Sequence, residues 1–236
     1  MPEIDRATFR APLQSGQRDN PRKNPYVREG RLITFEGIEG SGKTTQLLKL
    51  ADYLRGRGTP VLTTREPGGT SVGERARAIL LDPELKPVPL TELFLLEAAR
   101  AQLVAEIIQP ALAAGTFVLS DRFADSSLSY QAGARRVALA VVEQLNALAC
   151  AGVIPDRTVV LDLDVELAVS RARQRPETTA GNRRFEDEAM TFHRAVAEAY
   201  RALAARAAPR VVLVDASGAA TDVHARVLAA VRDVLP

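Results

Sequence analysis

Several groups whose presence would define a class of protein are scarce in this chain. There is one cysteine, Cys150, so no internal disulfide can form. Cys150 follows Leu145 and Leu148 on an apolar face, and it reads as a buried structural thiol rather than a reactive one. No apolar stretch approaches the roughly 20 residues that span a bilayer, and the first residues hold no apolar core of a signal peptide. A cytoplasmic location is the expectation. The formal charge of +2 is too small to make nucleic acid or a membrane surface the main partner. The two histidines, His193 and His224, have no metal-ligand spacing and read as helix-surface residues. Internal repeats and low-complexity tracts are missing as well.

What is present suits one globular domain. Apolar residues make up 46% and charged residues 25%, and the 236 residues are enough for a full hydrophobic core. Residues 1–29 are rich in Arg, Pro, Asn and Gln. They read as a flexible N-terminal extension, or as a start site placed too far upstream. The remainder, 30–236, alternates strand and helix. Strands are expected at Leu32–Phe35, Val61–Thr64, Phe117–Ser120, Thr158–Leu163 and Val211–Val214. Most are apolar or β-branched runs without strict alternation, as befits a parallel sheet covered on both faces. Helical patterns lie near 44–57, 72–81, 91–114, 137–150, 165–174, 187–207 and 221–234. The pattern is a doubly wound α/β domain with a central five-stranded parallel sheet.

The string Gly37-Ile38-Glu39-Gly40-Ser41-Gly42-Lys43-Thr44 directly follows the first strand and fits G-x-x-x-x-G-K-[ST]. A helix follows it, with Leu47, Leu48, Leu50 and Leu54. Glycines let the backbone curl so that successive N–H groups face an anion, and the helix N-terminus adds its partial positive charge. Lys43 is placed to reach the β- and γ-phosphates, and the Thr44 hydroxyl to ligate Mg²⁺. The chain binds a nucleoside triphosphate on this reading.

Other strings narrow the chemistry. Arg65-Glu66-Pro67-Gly68-Gly69-Thr70 closes the second strand and is either a charged turn or part of a ligand site at the sheet's carboxyl edge. Asp121 and Arg122 end the third strand. They form a strand-terminal ion pair, or else a carboxylate for Mg²⁺ beside a guanidinium for phosphate. Arg100 lies seven after Leu93, four after Leu96 and three before Leu103, inside an apolar stripe. Its charge requires a buried carboxylate, a ligand, or an escape to the helix edge. Arg171, Arg173 and Arg175 lead into a polar loop ending at Arg183-Arg184. The span 171–187 is either a solvated basic face or a lid that closes arginines over phosphates.

With these strings in place the chain resembles the thymidylate kinase family, nucleoside-monophosphate kinases that make dTDP and ADP from dTMP and ATP. The resemblance covers about 31–235. It rests on Phe35 to Thr45, on Arg65 to Thr70, on Ala98-Ala99-Arg100-Ala101-Gln102, on Asp121-Arg122-Phe123 with Asp125 to Gln131, and on Arg184-Phe185-Glu186. It implies a phosphate-loop kinase fold and ATP phosphates bound by Gly37, Ile38, Glu39, Gly40, Ser41, Gly42, Lys43, Thr44 and Thr45. It also implies that Glu39 contacts the acceptor's 3′-hydroxyl, that Arg65 and Arg122 hold the dTMP phosphate, and that Arg100 and Ser127 face the thymine. Tyr130 would crowd C2′ of the sugar. Thr44 would position Mg²⁺, Asp121 would position Mg²⁺ or the acceptor phosphate, and Lys43, Asp121, Arg122 and the lid residues Arg171 and Arg175 would serve catalysis. A homodimer is implied on the same ground. Two features depart from the family pattern. Leu96 stands where relatives often carry an aromatic that stacks on the base, with Phe94 on another helix face. The lid is also longer, with Arg183 in place of an acidic residue.

Two rival readings remain at this point. One is a kinase of another small acceptor. The other is a nucleotide-binding switch, for which the set Arg65, Arg100, Arg122 and Tyr130 would have no use.

Overall fold

A computed structural model describes residues 30–174 and 184–236. Residues 1–29, expected as an extension, and 175–183, the middle of the expected lid, lie outside the described residues.

Five strands form one parallel sheet: β1 (Leu32–Glu36), β2 (Val61–Arg65), β3 (Phe117–Asp121), β4 (Arg157–Asp162) and β5 (Val211–Asp215). Their order across the sheet is β2-β3-β1-β4-β5. β1 is the central strand and is fully buried, because its neighbours cover both edges and helices cover both faces. Its continuous apolar run hides a strict alternation. Ile33 and Phe35 enter one hydrophobic cluster, with Leu47, Leu50, Val196 and Val227, while Leu32 enters the opposite cluster, with Leu103, Ile108 and Val118. β2, at the sheet's edge, is only partly buried.

The helices are α1 (Lys43–Arg55), α2 (Ser71–Leu81), α3 (Pro89–Leu103), α4 (Gln109–Ala113), α5 (Ala124–Ser127), α6 (Leu139–Cys150), α7 (Val165–Arg173), α8 (Met190–Arg206) and α9 (Ala220–Val231). The α/β class and all five strands match expectation, with ends displaced by a residue or less. Two helix expectations need correction. The single helix expected over 91–114 starts at Pro89, whose fixed φ suits the first helical turn, and passes through a π-helical segment, Val104–Ile108, before α4. A second π segment, Leu128–Ala134, continues α5 in a stretch where no helix was expected.

Cys150 is buried, as expected, and burial pushes its thiol up to about 12. Leu148 does not share its face: this side chain is 77% exposed on α6. His193 is fully buried on α8, not at the surface, and His224 is half-buried edge-on against Tyr53. The helical wheel of α8 carries buried residues at Phe192, His193, Val196, Ala197 and Tyr200, so His193 lies inside the core stripe.

The phosphate loop is seated by contact as well as by its glycines. Gly40 has φ 78, and a Cβ there would lie 1.9 Å from the backbone oxygen of Ala168 on α7. Gly40→Ala should therefore lower stability by about 3 kcal/mol or more, a fall in Tm on the order of 10 °C, read by calorimetry. An unchanged Tm would mean that the loop and α7 are not in this contact.

Candidate active site

The parallel register aligns the chemistry. Phe35 of β1 pairs with Asp121 of β3, and Arg65 of β2 pairs with the same Asp121. The ladder continues beyond the strands: Arg122 N–H donates to the Phe35 carbonyl at 2.9 Å, and Glu66 N–H to the Asp121 carbonyl at 2.9 Å. The phosphate loop, the Asp121-Arg122 pair and the Arg65 turn thus emerge side by side at the carboxyl edge of the sheet, where doubly wound folds bind ligands.

A cleft of about 280 Å³ opens there. Glu39, Lys43 and Thr44 of the phosphate loop and α1 line it together with Arg65, Leu96, Arg100, Asp121, Arg122, Ser127 and Tyr130. Glu66, Arg77, Ser126, Gln131, Phe185 and Glu186 also line it, and sequence reasoning assigned none of them a role. The phosphate loop turns at Gly37, Gly40 and Gly42, all at positive φ, and Gly42 caps α1 without any side-chain cap bond. The first N–H groups of α1 and its partial positive charge therefore meet the cleft unblocked by a side-chain acceptor. Lys43 is folded back, its Nζ donating to the Gly37 and Ile38 carbonyls at 3.1 and 2.9 Å. Burial, with the Arg122 charge nearby, lowers its pKa to about 8. Ser41 is buried and Thr45 exposed at the start of α1.

Thr44 Oγ1 donates to Asp121 Oδ2 at 2.6 Å. Among the described residues no group of three or more His, Cys, Asp or Glu is placed to hold a metal. A hydroxyl beside one carboxylate fits Mg²⁺, which takes few protein ligands and completes its shell with phosphate oxygens and water.

Arg122 sits at φ 73, unusual for a side chain with a Cβ. Ser120 Oγ donates to its carbonyl at 2.7 Å, so the strand before it and the ladder contact with Phe35 hold the turn from both sides. Its Nη2 donates to Glu39 Oε1 at 2.7 Å and to the Tyr130 hydroxyl at 2.9 Å. Tyr130 in turn donates to both Glu39 oxygens at 2.8 and 2.9 Å. Burial raises the Glu39 carboxyl, but the charges of Arg122 and Lys43 outweigh it and hold its pKa below the usual range. Beneath this group Glu36 is fully buried, its oxygens accepting from the Phe123 amide at 2.8 Å and from the Ser126 and Tyr200 hydroxyls, each at 2.6 Å. Burial raises the pKa of Glu36. A strand-ending glutamate among apolar neighbours was the available signal for it.

Arg100 is 1% exposed, so its place on the apolar stripe is genuine and its partners are buried carboxylates. Nε donates to Glu66 at 2.8 Å, and Nη1 to Glu97 at 2.6 and 2.7 Å and to Asn146 at 2.6 Å. Both terminal nitrogens reach Ser127 Oγ at 3.2 Å. Burial pushes Glu66 up to about 7 against the pull of Arg100. Deleting Arg100 would strand two buried carboxylates, a loss of about 3–5 kcal/mol by analogy with broken buried pairs.

Arg65 is half exposed and paired with Glu74 at 2.9 and 3.0 Å, and Glu74 also accepts from the Gly69 amide at 2.8 Å. Phe94 points to solvent, 52% exposed, and cannot replace Leu96 against a ring in the cleft. Arg171 is exposed on α7 and does not line the cleft, and Arg175 lies outside the described residues. Arg184 is committed elsewhere, donating to the Leu80 carbonyl and to Glu92, both at 2.7 Å.

Because Lys43 titrates near 8 in the free chain, it is mostly neutral at about pH 9, and a neighbouring anion favours its charged form. Binding of a polyphosphate at that pH should take up on the order of one proton. Calorimetry in two buffers of different ionisation enthalpy reads the uptake, and Lys43→Met should abolish it. Equal heats in both buffers would show that Lys43 does not meet the anion.

Comparison with known proteins gives one answer. A sequence model of the family described as thymidylate kinase matches residues 35–227. The thymidylate kinase of Pelobacter propionicus is 49% identical over 205 residues, covering 86% of this chain and 94% of that protein. That of Pelotomaculum thermopropionicum is 50% identical over 210 residues, covering 88% and 95%. Among solved structures, the crystal structure of thymidylate kinase from Ehrlichia chaffeensis is similar with a TM-score of 0.70 at 30% identity, over 86% of this chain and 98% of that one. With the phosphate loop, the Arg65 turn and the Asp121-Arg122 pair gathered at one cleft, the chain belongs to the thymidylate kinase family.

Proposed function

We propose that residues 30–236 form a kinase that transfers the γ-phosphoryl group of ATP to dTMP, giving dTDP and ADP. The observation that carries this reading is one cleft lined both by the phosphate loop and by Arg65, Arg100 and Arg122. The loop suits the donor triphosphate, and the arginines an acceptor that already bears a phosphate.

The phosphate-loop amides and Lys43 hold the ATP tail, with Lys43 exchanging the Gly37 and Ile38 carbonyls for phosphate oxygens. Arg122 and Arg65 hold the dTMP phosphate, each leaving a carboxylate partner to do so. An oxygen of that phosphate attacks the γ-phosphorus, the bond to the β–γ bridging oxygen breaks, and ADP leaves. Such transfers depend on positioning and charge neutralisation more than on covalent help. Thr44 and Asp121 would hold Mg²⁺, which when bound neutralises phosphate charge. A catalytic role for Arg171 would need it to move, since it is exposed on α7 and does not line the cleft, and Arg175 lies outside the described residues. Arg100 and Ser127 face the base, Leu96 lies flat against it, and Tyr130 stands at C2′.

Arg122→Ala should cut kcat/KM for dTMP about a hundredfold or more, with the chain still folded by circular dichroism. The assay is ADP release with ATP·Mg²⁺ and a panel of nucleoside monophosphates. Preference for dTMP over dUMP, with little turnover of AMP, CMP or GMP, is the expected profile. A flat profile, acceptor-independent hydrolysis, or near-normal turnover by Arg122→Ala would overturn the assignment.

The homodimer is proposed on a separate observation. α3 and α6 pack together, and each exposes large apolar side chains: Leu90 (42%) and Phe94 (52%) on α3, Val141 (37%) and Leu148 (77%) on α6. Neighbouring exposed apolar side chains of this size mark an interaction surface, and a self-complementary face favours a two-fold dimer. Light scattering behind size exclusion should give twice the chain mass, and Phe94→Asp with Leu148→Asp should give the monomer. No helix among the described residues is long and apolar enough to cross a membrane.

A further inference from the structure

His193 is a buried residue near the cleft whose chemistry the reaction above leaves unused. Its side chain is fully buried on α8, yet neither ring nitrogen has a hydrogen-bond partner. Buried polar nitrogens are ordinarily paired, and packing against Phe192, with ring centroids 5.8 Å apart, supplies no acceptor. A carboxylate stands close by: Glu39 Oε2 lies 3.9 Å from Nδ1. Glu39 lines the cleft and His193 stands behind it.

In the free chain Glu39 is held by Arg122 and Tyr130. An acceptor phosphate competes for the Arg122 guanidinium, since an arginine that turns to phosphate leaves the carboxylate. Glu39 would then lose its nearest cation while partly buried, a state that is costly unless another donor replaces it. His193 Nδ1 needs to move only about 1 Å to reach hydrogen-bond length. We propose that His193 is a positioning residue: it takes over Glu39 when Arg122 turns to the acceptor phosphate, and fixes the carboxylate toward the acceptor sugar. The inference rests on the phosphoryl-transfer reading. The group recognised is the one that resemblance to the thymidylate kinase family implies for Glu39, the 3′-hydroxyl of the acceptor sugar, a donor from which a carboxylate can accept.

The test compares dTMP with its 3′-deoxy analogue as acceptors for the full chain, its His193→Phe variant and its His193→Asn variant. Asparagine puts an amide N–H where Nδ1 stands, whereas phenylalanine keeps the ring and removes the donor. His193→Phe should raise KM for dTMP about tenfold, the usual size of a lost hydrogen bond to a charged group, while kcat changes less than about twofold. KM for the 3′-deoxy acceptor should be the same with and without the substitution, and His193→Asn should restore dTMP binding. If His193→Phe does not fold, His193→Leu takes its place, judged by the same thermal melt. Equal losses on both acceptors, an unchanged KM for dTMP, or failure of asparagine to rescue would overturn the positioning role. Absence of dTMP turnover by the unsubstituted chain would instead overturn the phosphoryl-transfer reading, and this inference with it.

Discussion

The pairing of β1 with β3 is the constraint on which the rest of the site depends. Evenly spaced parallel hydrogen bonds set Phe35 against Asp121 and carry one bond further, to Arg122. That bond delivers the Arg122 side chain to Glu39 of the phosphate loop, 83 residues away in sequence. The same register brings Arg65 level with Asp121 from the far side of β3. A slip of one residue would turn each of these side chains to the opposite face. The fully buried β1, with clusters on both faces, makes such a slip prohibitively costly.

The cations of the cleft fall into two kinds, distinguished by what holds them. Lys43 is bound to loop carbonyls, and Arg122 and Arg65 each to one carboxylate that borders the cleft or is exposed. These partners are what an incoming phosphate can replace. Arg100 is different, enclosed by Glu66, Glu97, Asn146 and Ser127 at 1% exposure. Releasing it would leave buried charge unpaired. The first kind can move with ligand, whereas the second is fixed. Glu36, buried beneath Arg122, belongs to the fixed part: it ties the Phe123 amide, Ser126 and Tyr200 together under the site.

Much of this was readable in advance, for identifiable reasons. The strands are short apolar runs bounded by glycine, proline or charge, and parallel strands in a covered sheet leave that trace with little ambiguity. The phosphate loop is legible because its positive backbone angles favour glycine. Arg100 was legible as a conflict between charge and stripe, though not its two carboxylate partners. Where local pattern misled, tertiary contact was the cause. Leu148 follows the helical period of an apolar face, yet that face is left uncovered by the rest of the fold. His193 carries a polar side chain, which suggests exposure, but α8 buries it in one stripe with Phe192, Val196, Ala197 and Tyr200. The π segments at Val104–Ile108 and Leu128–Ala134 each take in one residue more per turn than an α-helix, a change with no signature in residue type.

The sequence by itself determined the fold class, the strand positions, the phosphate loop and the set of arginines, because each follows from local hydrophobic period, backbone freedom or charge. The tertiary structure alone decided which carboxylate faces which cation, that Arg122 and Tyr130 converge on Glu39, and that a buried histidine stands behind it. Those facts depend on strand order and on contacts between segments more than eighty residues apart. No local pattern encodes them, since many sequence-compatible packings would place the same residues on different neighbours.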